Sequence, residues 1–292
     1  MKVLAGIVLY NPETGRLQEN IDAIYQQVDT VLLIENGSSN TNYKKHLKRY
    51  DNLLWIDNHA SKGIAYALNQ ICGYAYSHGY DWALTLDQDS VASFGMVEVY
   101  KGIAKEDIGI IGCKIEDRNY DDPQQHGYKG TFEVPWVITS AAFTNTIAWY
   151  KCGGFDNEMF IDFVDADICY SMKKVGFKTL ITFHTKLLQE IGVGTFIINH
   201  KLFGELTVNN HPAIRKFFWA RNSLYLSKKY DFVSLSKVFK IIIKTLIEVL
   251  FYEKQKIRKT YMIIKGVLHS LVMKPKYQHI MPEFLKQEAV KL

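Results

Sequence analysis

The chain of 292 residues is long enough for one large α/β domain, or for one such domain with a helical appendage. Hydrophobic residues make up 48% of it and aromatic residues 13%, a composition that excludes wholesale disorder. The net charge is +5, and the excess of Lys and Arg lies in residues 237–276. These basic residues form no stripe interleaved with base-stacking aromatics, which argues against a nucleic-acid partner.

Short apolar runs alternate with amphipathic segments over the first ninety residues. Buried-type strands are predicted at residues 3–10, 31–34, 53–56 and 82–86, and helices at 17–27 and 63–76. This β-α-β-α-β order predicts a parallel sheet with helices on both faces, whose ligands bind at the carboxyl ends of the strands. Asn11, Glu35, Asn58 and Asp87 lie at or just beyond four such ends, so we expect them to share one crevice.

The remaining pattern is mixed and then helical. Residues 108–149 predict further strands with loops, including a polar loop at 117–129, and a helix at 166–175 and a strand at 179–184 follow. Helical patterns occupy residues 215–229 and 234–271. The simplest organisation is an α/β domain over residues 1–225 with a helical C-terminal extension over 226–292.

The turn Asp87-Gln88-Asp89-Ser90 directly follows the apolar strand WALTL. Two carboxylates one residue apart at a strand end can both face one hard cation, and oxygen ligands suit Mg2+ or Mn2+ shared with the phosphates of a nucleotide. The alternative is that the acids only cap the following helix. The position after the fourth strand favours metal binding by Asp89 and Asp87.

Six stretches, in order, resemble the rhamnosyltransferase-like members of the family 2 glycosyltransferases, which have the GT-A fold. They are GIVLYN (6–11), IENGSSN (34–40), NHASKGIAYALN (58–69), LTLDQDS (84–90), GGFDNEMFIDFVDADICYSMKKVGFK (153–178) and HPAIRKFFWARN (211–222). The resemblance implies a mixed, mainly parallel sheet flanked by helices, with a nucleotide-binding half at about 1–90 and an acceptor half at about 91–225. It also implies an inverting sugar transfer from a nucleotide-diphospho-sugar donor, with Mn2+ or Mg2+ as cofactor.

Inversion needs a general base that deprotonates the acceptor hydroxyl. The family places this base where FVDADIC stands, so the resemblance implies Asp165 as the base and Asp167 as a supporting acid. Val164 occupies a position where the family often has Glu, and Asp162 is a candidate to compensate. Alternatively, Asp165 and Asp167 only stabilise a helix dipole.

The resemblance also implies a set of donor-binding residues. The positions that bind the base and ribose are matched by Tyr10, Asn11 and Glu35. The donor loops are matched by Asn58, Lys62, Gly63, Asp87 and Gln88. A basic pair that can face the diphosphate is matched by Arg215 and Arg221. Gln189 stands where related sequences often carry a His that faces the cation. His200 and His211 are the candidates to replace it.

The C-terminal segment is by turns apolar, aromatic and basic, which fits either an anionic membrane surface or an ordinary pair of core or dimer-forming helices. The sequence contains no run of about 18 uninterrupted apolar residues, so a membrane-spanning helix is not predicted. Four cysteines without CxxC spacing predict reduced thiols in a cytoplasmic protein, free or peripheral at the inner face of the membrane.

The leading donor by resemblance is dTDP-rhamnose, with a saccharide or lipid-linked saccharide of a cell-surface polysaccharide as acceptor. A UDP-hexose or UDP-galactofuranose donor is the near alternative. A sugar-phosphate nucleotidyltransferase is disfavoured because no Gly-rich phosphate loop bearing Arg or Lys follows the first strand. A non-catalytic polysaccharide-binding subunit is supported only by Val164 and Gln189 at the two departures from the family pattern.

Overall fold

A computed structural model describes residues 1–48, 50–118, 127–190, 196–200, 204–208, 210–275 and 280–291, with only the backbone of 196–200 and 204–208. The chain divides into two compact units. The first comprises residues 1–158, 164–191 and 278–292, and the second comprises 159–163 and 192–277. Most of the predicted polar loop at 117–129 lies outside the described residues. The predicted division at residue 225 stays a prediction.

Within the described residues, ten strands of the first unit form one sheet in the order β12-β3-β2-β1-β4-β8-β6-β9-β5, with β7 paired to β9. The strands are β1 (Val3–Leu9), β2 (Thr30–Glu35), β3 (Leu53–Asp57), β4 (Trp82–Asp87), β5 (Val91–Ala92), β6 (Ile108–Asp117), β7 (Thr131–Glu133), β8 (Ala142–Asn145), β9 (Lys178–Gln189) and β12 (Val290–Lys291). The four predicted strands, β1 to β4, pair in parallel, and β6 pairs in parallel with β9. The other pairings are antiparallel. The predicted mixed α/β sheet is confirmed.

Helices cover this sheet. They are α1 (Thr14–Ile24), α2 (Ile64–Ser77), α3 (Met96–Ile103), α4 (Thr146–Cys152), α5 (Val164–Lys174) and the short α9 (Pro282–Leu285). The prediction of strands and loops throughout 108–149 is wrong at its end, where α4 begins. Asn145 caps that helix, since its Oδ1 accepts hydrogen bonds from the N–H groups of Ile147 and Ala148.

Burial on both faces explains why β1, β2 and β4 are continuous apolar runs. On one face Leu17 and Ile21 of α1 join a core cluster with alternate residues of the strands. On the other face α2 lies directly against β1, because a Cβ added to Gly6 would come within 2.3 Å of the Ile71 side chain. The helices α1 and α2 therefore cover opposite faces of the sheet.

The C-terminal residues of the chain belong to the first unit. β12 adds an antiparallel edge to β3, and α9 packs on α2, where Phe284 is buried. A Cβ on Gly73 would meet the Phe284 carbonyl oxygen at 2.3 Å, so glycine permits this close approach. The last part of the predicted helical extension therefore completes the α/β unit.

The second unit contains a hairpin of β10 (Phe196–His200) and β11 (Gly204–Val208) and three helices, α6 (Ala213–Lys229), α7 (Leu235–Tyr252) and α8 (Lys256–Val272). The helical pattern predicted at 234–271 is interrupted after Tyr252. There the buried Glu253 carboxylate accepts hydrogen bonds from Lys216 Nζ and Lys259 Nζ, both at 2.6 Å. No helix in the described part of the chain is long and apolar enough to cross a bilayer.

Candidate active site

The backbone of the turn that follows β4 is held by side chains from other parts of the first unit. The Asp87 carbonyl oxygen accepts hydrogen bonds from Asn20 Nδ2 (2.6 Å) and the Ser90 N–H (3.2 Å). The Asp87 N–H donates to Ser140 Oγ (3.3 Å), and Ser90 Oγ lies 2.8 Å from the same hydroxyl. Residues from α1 and from the segment before β8 thus fix the direction in which residues 87–89 leave the sheet.

Gln88 joins this turn to the end of β1. Its Oε1 accepts from the Tyr10 N–H (2.8 Å), and its Nε2 donates to the Tyr10 carbonyl oxygen (3.2 Å). The amide therefore prolongs the hydrogen-bond ladder between β1 and β4 beyond the last residue of each strand. The Tyr10 side chain is exposed, so its predicted contact with the donor base is sterically open.

The side chain of Asp87 meets the residue that stands in place of the family His. Gln189 Nε2, at the end of β9, donates to Asp87 Oδ2 at 2.7 Å. Gln189 Oε1 is buried without a hydrogen-bond partner among the described residues. Because β5, which follows the turn, pairs antiparallel with β9, a residue more than a hundred positions away contributes to the turn.

Asp89 lies half-buried beside charges of both signs. Burial raises its pKa above the ordinary value, and repulsion from Glu190 adds to that shift, while attraction by Arg118 and Arg16 opposes it. Arg118 in turn donates to Glu19 (2.8 Å). Arg118 was not predicted as a site residue, because it lies at the start of a segment that is recognisable only as a polar loop.

The loop after β2 is packed against the loop after β1. Asn11 Oδ1 accepts from the Ser39 N–H (2.9 Å) and hydroxyl (2.8 Å), and the Asn11 N–H donates to Ser38 Oγ (2.7 Å). Glu35 is buried, and its two carboxylate oxygens accept from the Ser38 N–H (2.6 Å) and the Tyr43 hydroxyl. Glu35 thus shapes the loop at which the nucleobase is predicted to bind.

A chain of side-chain amides connects the loops after β2 and β3. Asn58 Nδ2 donates to Gln70 Oε1 (2.7 Å) and to Asn36 Oδ1 (3.2 Å), and Asn36 Oδ1 also accepts from the Lys62 N–H (3.1 Å). Asn36 Nδ2 donates to the Gly63 carbonyl oxygen (3.2 Å). Asn58 is 8% exposed, so its amide lies beneath the surface, where it connects the two loops.

Lys62 is the exposed cation of this loop. Its Nζ lies 3.2 Å from the Tyr66 hydroxyl, which donates to Glu283 at 2.8 Å. Gly63 has a φ of +85°, a left-handed value that glycine adopts at little cost, and α2 begins immediately after it. The predicted donor residues of the first unit therefore lie around the carboxyl ends of β1 to β4, and their sharing of one crevice stays a prediction.

The residues after β4 and β9 fit a hard divalent cation. Asp89 and Asp87 offer carboxylate oxygens, and the unpartnered Gln189 Oε1 is a further oxygen beside Asp87. Within the described residues, no three or more His, Cys, Asp and Glu side chains are grouped to hold a metal ion. This donor set matches an ion that takes most of its ligands from phosphate and water.

Asp165 and Asp167 occupy the first turn of α5, in the first unit. Asp165 is half-exposed, and its Oδ1 accepts a hydrogen bond from the Ala166 N–H (2.9 Å). Asp167 is fully buried. Of these two side chains only Asp165 is partly exposed, and the roles of base and supporting acid stay predictions.

The residues immediately before α5, 159–163, pack in the second unit. Phe160, Asp162 and Phe163 have φ values of +39°, +65° and +65°, a conformation that L residues adopt at a cost of about 1–3 kcal/mol each. Buried Asn222 donates from Nδ2 to three carbonyl oxygens of this segment, those of Met159 (2.8 Å), Ile161 (2.7 Å) and Asp162 (3.0 Å). Asn222 is the last residue of the motif at 211–222, and its contacts with this segment were not predicted from the sequence.

The predicted basic pair lies on α6 of the second unit. Arg215 Nε donates to Asp162 Oδ1 at 3.0 Å, so the acid proposed to compensate for Val164 is paired with an arginine. Arg221 is buried over the Phe218 ring and donates to Asn222 Oδ1 (2.9 Å). His211 lies in this unit too, and burial followed by nearby cations lowers its pKa to about 4. The side chain of His200 lies outside the described residues.

Comparisons with known proteins agree with this geometry. The model of "Glycosyl transferase family 2" matches residues 5–175, more than half of the chain. The dTDP-rhamnosyl transferase RfbF of Shigella flexneri is 23% identical over 287 residues, 89% of this chain and 91% of that protein.

Two solved structures show the same fold. The mannosyltransferase PcManGT of Pyrobaculum calidifontis, in complex with GDP-Man and Mn2+, aligns with a TM-score of 0.54 and 13% identity over 94% of this chain and 76% of its own. GalNAc-T7 with UDP, GalNAc and Mn2+ aligns with a TM-score of 0.56 and 12% identity over 66% of this chain. The alignment covers 44% of the GalNAc-T7 chain.

Proposed function

The chain belongs to glycosyl transferase family 2, and from that premise we propose that it transfers L-rhamnose from dTDP-rhamnose, with inversion, to a hydroxyl of a growing, lipid-linked cell-surface polysaccharide. The similarity to a dTDP-rhamnosyl transferase supports this donor. The observation that carries the proposal is the turn at 87–89, whose backbone is fixed by Asn20 and Ser140 while carboxylate and amide oxygens gather at the end of β4.

In this proposal the first unit binds the donor. Tyr10 and the loop shaped by Glu35 receive the base, and Asn11 and Asp87 are placed for the ribose. Asp89 and Asp87 hold Mn2+ or Mg2+ against the diphosphate, and the cation, when bound, neutralises charge on the departing nucleotide. The cations of this unit proposed to complement the remaining phosphate charge are Lys62 and Arg118. A role for Arg215 and Arg221 in binding the diphosphate stays a prediction from the resemblance.

Asp165 accepts the proton of the acceptor hydroxyl as that oxygen attacks the anomeric carbon from the side opposite the diphosphate. The Ala166 N–H donates to Asp165 Oδ1 and so helps to orient the carboxylate. Asp167, buried behind it on the same helical turn, is proposed to support the first turn of α5.

The role of Asp165 is tested by Asp165→Asn. Transfer should fall about 10²–10⁴-fold, the usual contribution of a general base, while nucleotide binding survives. Glu98→Gln is the matched control, because Glu98 is also a first-turn helix acid but lies on the surface of α3. If both variants keep full turnover, Asp165 acts only on the helix dipole and is not the base.

The donor is tested by calorimetry with dTDP and UDP, each with and without Mn2+, and by turnover with dTDP-rhamnose, a UDP-hexose and UDP-galactofuranose. We expect preference for dTDP-rhamnose and a loss of metal-dependent binding in Asp89→Ala. Preference for a UDP-sugar would replace the donor and keep the reaction class. Equal, metal-independent binding by Asp89→Ala would remove the cation from the proposal.

A further inference from the structure

α7 of the second unit has two apolar faces. Val238, Ile242 and Val249 form the buried face, which packs into the unit's own core. A second stripe consists of Leu235, Phe239, Ile243 and Leu250, which are 42–56% exposed. Their spacing of four, four and seven residues places them on one side of the helix. This stripe is apolar and uncovered.

α8 repeats the arrangement. Its buried side includes Ile263 and Gly266, where a Cβ would meet the Phe217 carbonyl oxygen of α6 at 2.4 Å. The opposite side carries Ile257, Ile264, Leu268 and Leu271, which are 48–88% exposed and are separated by seven, four and three residues. Two helices of one small unit therefore each expose a row of large aliphatic side chains, where scattered single residues are usual.

The exposed charges along α7 and α8 themselves are of one sign. Lys240 and Lys244 flank the stripe of α7, and Arg258 and Lys265 flank that of α8 at the corresponding helical positions. The acids of residues 232–275 are Glu248 and Glu253, and both are buried. The two stripes and their flanking cations, hereafter the basic apolar surface, thus expose apolar groups and positive charge together.

We propose that the basic apolar surface binds an anionic phospholipid membrane. Aliphatic and aromatic side chains enter the boundary between headgroups and acyl chains, and the flanking cations meet lipid phosphates. A second copy of the chain fits less well, because a symmetric contact would bring the same cations against each other without an exposed acid between them. The helices would lie in the interface plane, since none of those described can span the bilayer.

Sedimentation of the full chain with lipid vesicles tests this surface, without donor or acceptor. We expect binding to vesicles of phosphatidylcholine mixed with phosphatidylglycerol and much weaker binding to phosphatidylcholine alone. Binding should weaken from 0.1 M to 1 M salt, as the screening length falls from about 10 Å to about 3 Å. Equal partitioning into both vesicles, or into neither, would overturn the proposal and leave the sugar-transfer proposal untouched.

Variants separate the two contributions. The triple variant Phe239→Ser, Ile243→Ser, Leu250→Ser should reduce vesicle binding at least about 100-fold. Lys240→Gln and Lys244→Gln should each reduce it about fivefold, and only for the anionic vesicles. Phe94→Ser is the matched control, because Phe94 is fully exposed on the first unit.

The triple variant removes exposed side chains, so its far-UV circular dichroism should match that of the parent, and the lysine variants keep the test independent of its folding. Light scattering without lipid addresses self-association. A dimer that dissociates in the triple variant, together with no vesicle binding by the parent, would assign this surface to a second copy. Retained vesicle binding in the triple variant would also refute the proposal.

Discussion

Replacing Asn222 by alanine tests how far the strained segment 159–163 depends on one side chain. The Asn222 Nδ2 group has two hydrogens, which three carbonyl oxygens at 2.7–3.0 Å share. Two hydrogen bonds contribute about 1–3 kcal/mol in total. The left-handed residues would recover part of their strain once released, which limits the net loss of stability. We therefore expect Asn222→Ala to lower the free energy of unfolding by about 1–3 kcal/mol.

Urea unfolding followed by circular dichroism measures this loss, and hydrogen exchange of residues 159–163 reports the release of the segment. Asn222→Asp keeps the shape of the side chain but turns an acceptor toward three carbonyl oxygens, so it should be less stable than Asn222→Ala. Ser223→Ala is the matched control, because the Ser223 hydroxyl donates only within its own helix, to the Ala220 carbonyl (3.0 Å). Equal stability of Asn222→Asp and the parent would refute the reasoning.

Three further predictions concern charged and polar groups. Glu253→Gln leaves two buried lysines without their carboxylate and should lower the free energy of unfolding in urea by about 3–5 kcal/mol. Glu98→Gln, in an exposed ion pair, should lower it by at most about 1 kcal/mol, and equal losses in the two variants would contradict the buried network. Gln189→His places an imidazole beside Asp87 and should raise the affinity for Mn2+ in the presence of nucleotide about tenfold by calorimetry, and unchanged affinity would exclude residue 189 from the ion. Folding raises the pKa of Asp89 above 3.8, so its ionised form destabilises the folded chain at neutral pH. Asp89→Asn should therefore raise the melting temperature at pH 7, and its advantage over the parent should shrink as the pH falls through the raised pKa toward 3.8. Thermal melts of both proteins at pH 7 and near pH 3.8 measure this difference.

Local patterns predicted the first half of the fold well. The four apolar runs that became β1 to β4 could be placed within a few residues because strands buried on both faces need continuous apolar sequence. The end of the 108–149 prediction was wrong because the Asn145 cap outweighs the apolar run that follows. The return of Phe284 to α2 had no signal, because a contact between distant segments leaves no mark in either one alone.

The same division holds at the candidate site. Asp87, Asp89 and Asp165 were predicted from the sequence as site residues, because carboxylates at a strand end and at a helix start are recognisable by position. The contacts that hold Asp87 were not predicted. Asn20 and Ser140 had no local signal, and Gln189, singled out only as the residue in place of the family His, donates to the Asp87 carboxylate. Nor could residue types decide that Asp167 is buried while Asp165 is accessible.

The α/β class, the parallel pairing of the first strands and the family could be predicted from the amino-acid sequence, because periodicity and the order of motifs can be recognised without knowledge of contacts. Tertiary structure decided which polar groups are consumed internally and which apolar groups stay exposed. Asn58 became a support because Asn36 and Gln70 occupy its amide. The stripes of α7 and α8 stayed exposed because the shared core of α6, α7 and α8 buries other sides of these two helices.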